Sequence, residues 1–472
     1  MTKYDLDRDL YKYQQEDITR MEEIGRGILL LSEMGVGKTP ETLGFIEKKN
    51  FQCPLIVCPN SLRLEWKRQI EEWVGKGITA VSTTDSYTKL QPIIESFLNG
   101  QKYKIINYET FRNKDCLEML NMIPFDIIVF DEIHKIRNPK TKQVKGVWEF
   151  LSAHPNATIM GLSGSPIMNY PNDLYVPLSC VHPSSYPRDM KNWHYFMDRY
   201  CYWTMGKYGT YQYGSRRIDE LREITKPFTI KRTKKEVLPY LPEKYFRRVV
   251  LEMPPDQRKL YDQMEKDLKI LLDSGEPLWA QGVLALLTRL RQINIDPKIV
   301  GVESGSAKTD FLVDLIESMD EKLVVFSCFE RYIHLLSLMY PDALVVTGEV
   351  KPDERAKRVK EFQEDPSKKL FFGTIQTAGE GITLTAASTV VMMDRWWNEP
   401  SNSQATDRLH RIGQVSAVEI IIPINENSVD ESLDEILQRK GSAMQEFLPE
   451  RDVTRLVVDD RRQRNEPRVI EL

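Results

Sequence analysis

Eight residues near the N-terminus carry chemistry in their order: Ser32-Glu33-Met34-Gly35-Val36-Gly37-Lys38-Thr39. They follow directly on the apolar run GILLL at 27–31. A strand, a glycine-rich turn and a helix start are what a triphosphate needs. Glycines let backbone N–H groups face the phosphates, and the helix N-terminus adds partial positive charge. Lys38 can reach the β and γ phosphates of ATP, and the Thr39 hydroxyl can hold Mg²⁺. Pro40 falls in the first helical turn, where its missing N–H costs little. Met34, Gly35, Val36, Gly37, Lys38 and Thr39 are therefore the nucleotide-binding candidates. The pattern G-x-x-x-x-G-K-[ST] is incomplete, with Ser32 where glycine is wanted, and a bare G-K-T also serves as a helix-capping turn. A second constellation decides between these readings. The run DIIVF at 126–130 delivers Asp131-Glu132-Ile133-His134. Two adjacent acids at the end of a buried strand suit metal-assisted hydrolysis, with Asp131 on Mg²⁺ and Glu132 orienting and deprotonating the attacking water.

The elements that must position these residues are legible as apolar runs. In the first half they are 27–31, 54–58, 104–108, 126–130 and 158–162; in the second, 322–326, 343–347, 370–374, 390–394 and 419–424. Runs of this length, separated by helix-length amphipathic segments, predict mainly parallel sheets buried on both faces. Residues 166–240 are rich in Tyr, Trp, Pro and Met with little strand periodicity, and 255–295 carry apolar residues at helical spacing. The expected organisation is a first α/β lobe over 1–235 with an insertion at about 166–228. A helical linker over 236–304, a second α/β lobe over 305–450 and a charged tail over 451–472 complete it.

Composition narrows the classes. With 41% apolar and 28% charged residues, the 472-residue chain reads as an ordinary globular protein. No apolar run approaches the ~18 residues of a bilayer span, and a charged N-terminus predicts no secretory signal. Six scattered cysteines without a C-x-x-C pair predict no zinc and a reducing compartment: the cytosol, or the nucleus in a eukaryote. The small size suits a bacterium or a virus. A net charge of −4 excludes a broadly cationic nucleic-acid binder but leaves room for a local basic groove. Lys231, Arg232, Lys234, Lys235, Lys244, Arg247 and Arg248 form one basic stretch, equally readable as a solvated face or a phosphate contact.

Further along, Gln404-Ala-Thr-Asp-Arg408-Leu-His-Arg411-Ile-Gly-Gln414 resembles motif VI of helicase superfamily two, and more specifically of its SWI/SNF-type ATPases. Lys38-Thr39 and Asp131-Glu132-Ile133-His134 resemble motifs I and II. Tyr13-Gln14 resembles the adenine-reading Q motif, Ser163-Gly164-Ser165-Pro166 motif III, and Thr377-Ala-Gly-Glu-Gly381-Ile-Thr motif V. Thr229-Ile-Lys-Arg-Thr-Lys-Lys-Glu-Val-Leu and Leu241-Pro-Glu-Lys resemble the family's link between lobes. The resemblance runs from about 10 to 425, and the short middle insertion is most similar to the branch with annealing helicases and fork remodellers. It implies an α/β fold of two RecA-like P-loop lobes with helical insertions between them. It also implies ATP bound between the lobes, Gln14 and Gly381 on the nucleotide, and Arg408 and Arg411 as catalytic arginines alongside Lys38 and Glu132. His134 would couple the acids to Ser163 and Ser165.

Four positions depart from the family pattern: Ser32 replaces an acid, Ser163 and Ser165 replace threonines, and Glu399 stands where proline is usual. Pro59-Asn60-Ser61, before the helix with Trp66, resembles motif Ia and makes a phosphate cradle, with Pro59, Ser61 and Trp66 as candidate nucleic-acid contacts. Ser327, Thr374 and Thr377 lie at similar turns, and these contacts read no bases. Trp396 and Trp397 could line the groove or belong to the core. The expected activity is ATP-driven translocation on double-stranded DNA with little sequence specificity, with protein partners supplying targeting. A strand-separating helicase and a catalytically idle binding module are the alternatives.

Overall fold

The computed structural model describes residues 5–6, 9–81, 87–164, 171–206, 209–273, 279–378, 382–396 and 399–434. It divides into two compact units, 1–240 and 241–472. Each is described by itself.

The first unit is built on seven strands: β1 (Gly27–Leu30), β2 (Pro54–Cys58), β3 (Thr79–Val81), β4 (Tyr103–Asn107), β5 (Ile127–Asp131), β6 (Thr158–Leu162) and β9 (Thr229–Ile230). Their order is β3-β4-β2-β5-β6-β1-β9, and every pairing is parallel. Each of β1, β2, β4 and β6 is buried along its whole length, which is why these runs are apolar without alternation. On one face pack α1 (Lys12–Ile24), α2 (Lys38–Lys48) and α3 (Arg63–Trp73), through Ile18, Met21, Leu43, Phe45, Trp66 and Ile70. Fully burying each such side chain contributes roughly 1.5–3 kcal/mol. The opposite face is covered by the helix Lys142–Ala153, capped by Thr141, and by the aromatic-rich segment 171–228. In that segment Phe196 gathers Tyr175, Tyr186 and Tyr200 at ring separations of 5.4, 6.1 and 4.7 Å. The segment shares the sheet's own core, then returns to it as β9 against β1.

Among the described residues the second unit holds six strands: β10 (Lys244–Leu251), β11 (Leu323–Ser327), β12 (Leu344–Val346), β13 (Leu370–Thr374), β14 (Thr389–Met392) and β15 (Val418–Asn425). Their order is β10-β15-β14-β11-β13-β12, again all parallel. The helices Pro255–Asp273 and Trp279–Ile295 pack through Tyr261, Leu287, Leu290 and Ile293.

Two expectations change. The boundary falls at Tyr240/Leu241, and the supposed helical linker begins with β10, an edge strand of the second sheet. Its sequence, KYFRRVVL, hid this because most of it faces solvent, so no apolar face is written into it. The aromatic insertion also contains an antiparallel hairpin, β7 (Cys201–Gly206) and β8 (Gly209–Ser215), that its composition did not announce. The tail 451–472 lies outside the described residues. All six cysteines are free thiols, and no helix among the described residues is long and apolar enough to cross a membrane.

Two packing features make testable demands. Gly146 carries the helix 142–153 against the turn 108–112, and a Cβ there would stand 1.9 Å from the Phe111 carbonyl oxygen. Backbone cannot swing aside, so the ~1 kcal/mol that alanine gains in helix propensity is outweighed by an overpacking cost of about 1–3 kcal/mol or more. Gly146→Ala is expected to lower the denaturation midpoint in urea; an unchanged midpoint would contradict the close approach.

Glu41 of α2 is fully buried with neither carboxylate oxygen hydrogen-bonded. Burial, then the nearby Asp17, hold its pKa well above the ordinary 4.5. Below that ordinary value the acid is neutral folded or unfolded and withdraws nothing. As pH rises, the unfolded chain ionises first, so Glu41 destabilises progressively until its native pKa is passed. Glu41→Gln should therefore raise Tm over wild type by a margin that widens from about pH 5 to about pH 8, read by thermal unfolding. A pH-independent margin would refute the buried-acid argument.

Candidate nucleotide and nucleic-acid site

Because the first sheet is wholly parallel, the C-terminal ends of its strands share one edge, the place where open α/β sheets bind ligands. The loop after β1, the acids ending β5 and Ser163 after β6 meet there, with β6 between β1 and β5. Gly35 and Gly37 adopt φ of 79° and 85°, a left-handed conformation that turns successive N–H groups to one side. Gly37 is the residue before α2, so the helix starts at Lys38-Thr39 as the spacing predicted. The Lys38 ammonium donates to the Ser32 and Glu33 carbonyls at 2.9 and 3.0 Å. This bridges the loop and holds the charge at its centre.

The loop is laced to its surroundings by the Tyr13-Gln14 pair and by residues after β9 whose contact with it the sequence did not reveal. Tyr13 Oη donates to the Val36 carbonyl at 2.6 Å, and Gln14 Nε2 to Gly37 O at 3.3 Å. Gln14 is only 2% exposed, and its Oε1 accepts from Tyr11 N–H. The residue expected to read adenine thus braces the loop in this conformation. Ser32, the departure from pattern, is buried, and its Oγ accepts from Arg232 N–H at 3.0 Å. The Arg232 guanidinium grips Asp17 through Nε and Nη2 at 3.0 and 2.6 Å. Glu33 accepts from Lys234 N–H at 2.8 Å. Thus β9 and the residues after it clamp the loop from the far side. Met34 packs under Gly164, where an added Cβ would lie 2.6 Å from its Cγ.

At the end of β5, Asp131 Oδ1 accepts from Glu132 N–H at 2.9 Å and Oδ2 from the Trp66 indole N–H at 2.8 Å. Burial, then the adjacent Glu132 charge, push Asp131 up to about 6. A crowded acid pair of this kind calls for a cation. Two acids, the Thr39 hydroxyl at the helix start and oxygen-only chemistry suit Mg²⁺ with a phosphate. Glu132 has φ 52°, a left-handed non-glycine conformation that costs energy and recurs at functional sites. It sets the carboxylate beside His134, whose Nδ1 lies 3.2 Å from Glu132 Oε2 and 3.0 Å from Ser163 Oγ. Acid, imidazole and hydroxyl are thereby in one chain. Ser165, Pro166 and Gly381 lie outside the described residues.

The nucleic-acid candidates separate. Asn60 is exposed, and the turn it opens, Asn60–Leu62, is held by Arg63 Nε on Asn60 Oδ1 at 3.0 Å. Pro59 before it is buried. Trp66 is corrected: at 2% exposure it offers no surface to a nucleic acid and instead holds Asp131. The buried stripe Leu62, Trp66, Ile70 at four-residue spacing is the signal that could have assigned it inward.

In the second unit Ser327 and Thr374 end neighbouring strands in register. Their side chains are buried: Ser327 Oγ accepts from Phe329 N–H, and Thr374 Oγ1 donates to Thr377 Oγ1 at 2.7 Å. Any phosphate contact from these turns would fall to backbone N–H groups rather than hydroxyls. Arg411 donates through Nη1 to Ile382 O and Thr383 Oγ1 at 3.1 and 3.0 Å, and Arg408 is 5% exposed. The basic stretch is largely neutralised: Arg232 by Asp17, Lys244 by Asp407, Arg247 by Glu419 and Arg248 by Asp434. Lys231 and Lys235 are exposed. Trp396 packs against the core of the helical pair 255–295, and Trp397 lies outside the described residues.

Comparison with known proteins gives two family matches: an SNF2-related domain over residues 13–299 and a helicase conserved C-terminal domain over 307–413. The chain is 25% identical over 448 residues to the human DNA annealing helicase and endonuclease ZRANB3, covering 92% of this chain and 40% of that one. It is 26% identical over 460 residues to the putative ATP-dependent helicase/translocase YwqA of Bacillus subtilis, covering 92% and 48%. The chain thus spans less than half the length of these relatives. A solved Sulfolobus solfataricus SWI2/SNF2 ATPase core in complex with dsDNA is similar at a TM-score of 0.44 and 26% identity, over 98% of both chains. With the first match alone spanning more than half its length, the chain belongs to the SNF2-related family of helicase-like ATPases.

Proposed function

We propose that this chain hydrolyses ATP in response to DNA and uses the cycle to move along duplex DNA, remodelling DNA or protein–DNA complexes. The observation that carries the reading is the shared edge of the first sheet, where the loop of Lys38 and the acids Asp131 and Glu132 lie at the C-terminal ends of parallel strands. The N–H groups around Gly35 and Gly37 and the Lys38 ammonium bind the phosphates. Thr39 and Asp131 would hold Mg²⁺, which would supply positive charge against the phosphates. Glu132 orients a water for in-line attack and takes its proton. Arg408 and Arg411 supply guanidinium charge to the transferring phosphoryl group. DNA as the track is supported by what the relatives are: a DNA annealing helicase and a helicase/translocase. The turn at Asn60 offers a backbone contact without base reading, which favours low sequence specificity.

The test is phosphate release with no nucleic acid, single-stranded DNA, duplex DNA and RNA. Stimulation by duplex supports translocation. Single-strand preference with strand displacement would move the assignment to an unwinding helicase, and no turnover would make the chain a binding module. Lys38→Ala and Glu132→Gln should each lower stimulated turnover by about 100-fold or more with an unchanged circular dichroism spectrum; normal turnover in either would refute the chemical centre. Arg411→Ala is expected to cut kcat by a factor on the order of 10³ while the Kd for ATP stays within a few-fold. Equal loss of both would assign the arginine to nucleotide binding or to its contacts with Ile382 and Thr383.

A further inference from the structure

Asp131 is held on three sides by hydrogen bonds, two of them from buried side chains. Glu132 N–H occupies Oδ1, the Trp66 indole occupies Oδ2, and Tyr108 Oη donates to the Asp131 carbonyl at 2.7 Å. Trp66 and Tyr108 are each 2% exposed. A carboxylate with both oxygens engaged cannot rotate about its Cβ–Cγ bond without breaking one of them. The direction in which its remaining lone pairs meet a cation is therefore fixed by the indole.

Both supports lead back to one exposed residue. Trp66 rides on α3, whose first residue, Arg63, holds the Asn60 carbonyl and Oδ1. Asn107 Nδ2 reaches the same Asn60 Oδ1 at 3.4 Å, and Asn107 is followed in the chain by Tyr108. Thr110 Oγ1 fixes Asn107 from behind at 2.8 Å. Asn60 is thus joined to Asp131 by two short routes, one along a helix and one off the end of β4. The Asn60 turn therefore touches the residue that begins the helix of Trp66 and the residue that precedes Tyr108.

We propose that Trp66 is a positioning residue that sets the metal-binding orientation of Asp131 and, with Tyr108, conveys occupancy of the Asn60 turn by a nucleic-acid phosphate to the metal. This rests on the proposed ATPase reading for its chemistry, though not for its geometry. Outer partners of a ligating carboxylate affect metal affinity by typically 10–100-fold, because they select which conformation is pre-formed.

Trp66→Phe removes the N–H and keeps an aromatic ring in the core. The probe is a fluorescent ATP analogue, titrated first without metal and then with Mg²⁺, on the full chain with and without duplex DNA. Metal-free binding and Tm should stay near wild type. The Mg²⁺ concentration at half-effect should rise by about 10-fold or more, and the fold-stimulation of turnover by duplex should fall. Tyr108→Phe should reproduce the loss of stimulation with a smaller shift in Mg²⁺. An unchanged Mg²⁺ midpoint in Trp66→Phe overturns the proposal. So does an equal loss of metal-free nucleotide binding, which would make Trp66 a packing residue. Should wild type show no hydrolysis at all, the functional reading fails, while the Mg²⁺ titration still decides the role of Trp66.

Discussion

Parallel pairing is the constraint on which everything else in this molecule depends. An all-parallel ladder cannot be made from hairpins, so each strand must be followed by a crossover that returns the chain to the same starting edge. The consequence is that all strand C-termini, and hence the loops after them, gather on one side. In the first unit this brings together segments as distant in sequence as Ser32, Asp131, Ser163 and Arg232. No local interaction does so. The chemistry of the edge is inherited from the topology, and side chains refine it.

The refinement is electrostatic. A lysine, two adjacent acids, an imidazole and an Asp–Arg pair share one edge of the sheet. Each charge is met by a dipole or by an opposite charge. Lys38 takes carbonyls, Asp131 takes an amide and an indole, and Arg232 takes Asp17. Glu41 is the exception, buried beneath the loop with no hydrogen-bonding partner for its carboxylate. Such a site is costly to assemble and is sustained by the apolar cores on both sheet faces, which supply the stability that the polar edge spends.

Much of this was legible in the sequence, for identifiable reasons. Ten strands were written as unbroken apolar runs because both faces of a parallel sheet are covered. The phosphate loop and the acid pair were legible because their chemistry is contiguous. What escaped was written elsewhere. β3 and β9 are too short to show a period, and β10 is solvated along much of its length. Trp66 was read as facing a ligand, since a tryptophan after a turn carries no mark of its rotamer, although the Leu62–Trp66–Ile70 stripe pointed inward. Ser32 breaks the motif in sequence, yet its hydroxyl accepts from the Arg232 backbone N–H, two hundred residues further along. Pairings of this range are properties of the fold and have no signature at either end.

The bridge from Lys38 to the Ser32 and Glu33 carbonyls has a kinetic implication. An ammonium that already owns two acceptors is never stranded when a polyanion departs; the loop's own oxygens recapture it as the anion leaves. Exchange can then proceed hand over hand, each lost phosphate contact replaced in turn, which lowers the barrier to emptying the site at the expense of how tightly it can be filled. A machine that must discard its spent fuel many times over is better served by such an internal competitor than by a grip of maximal strength.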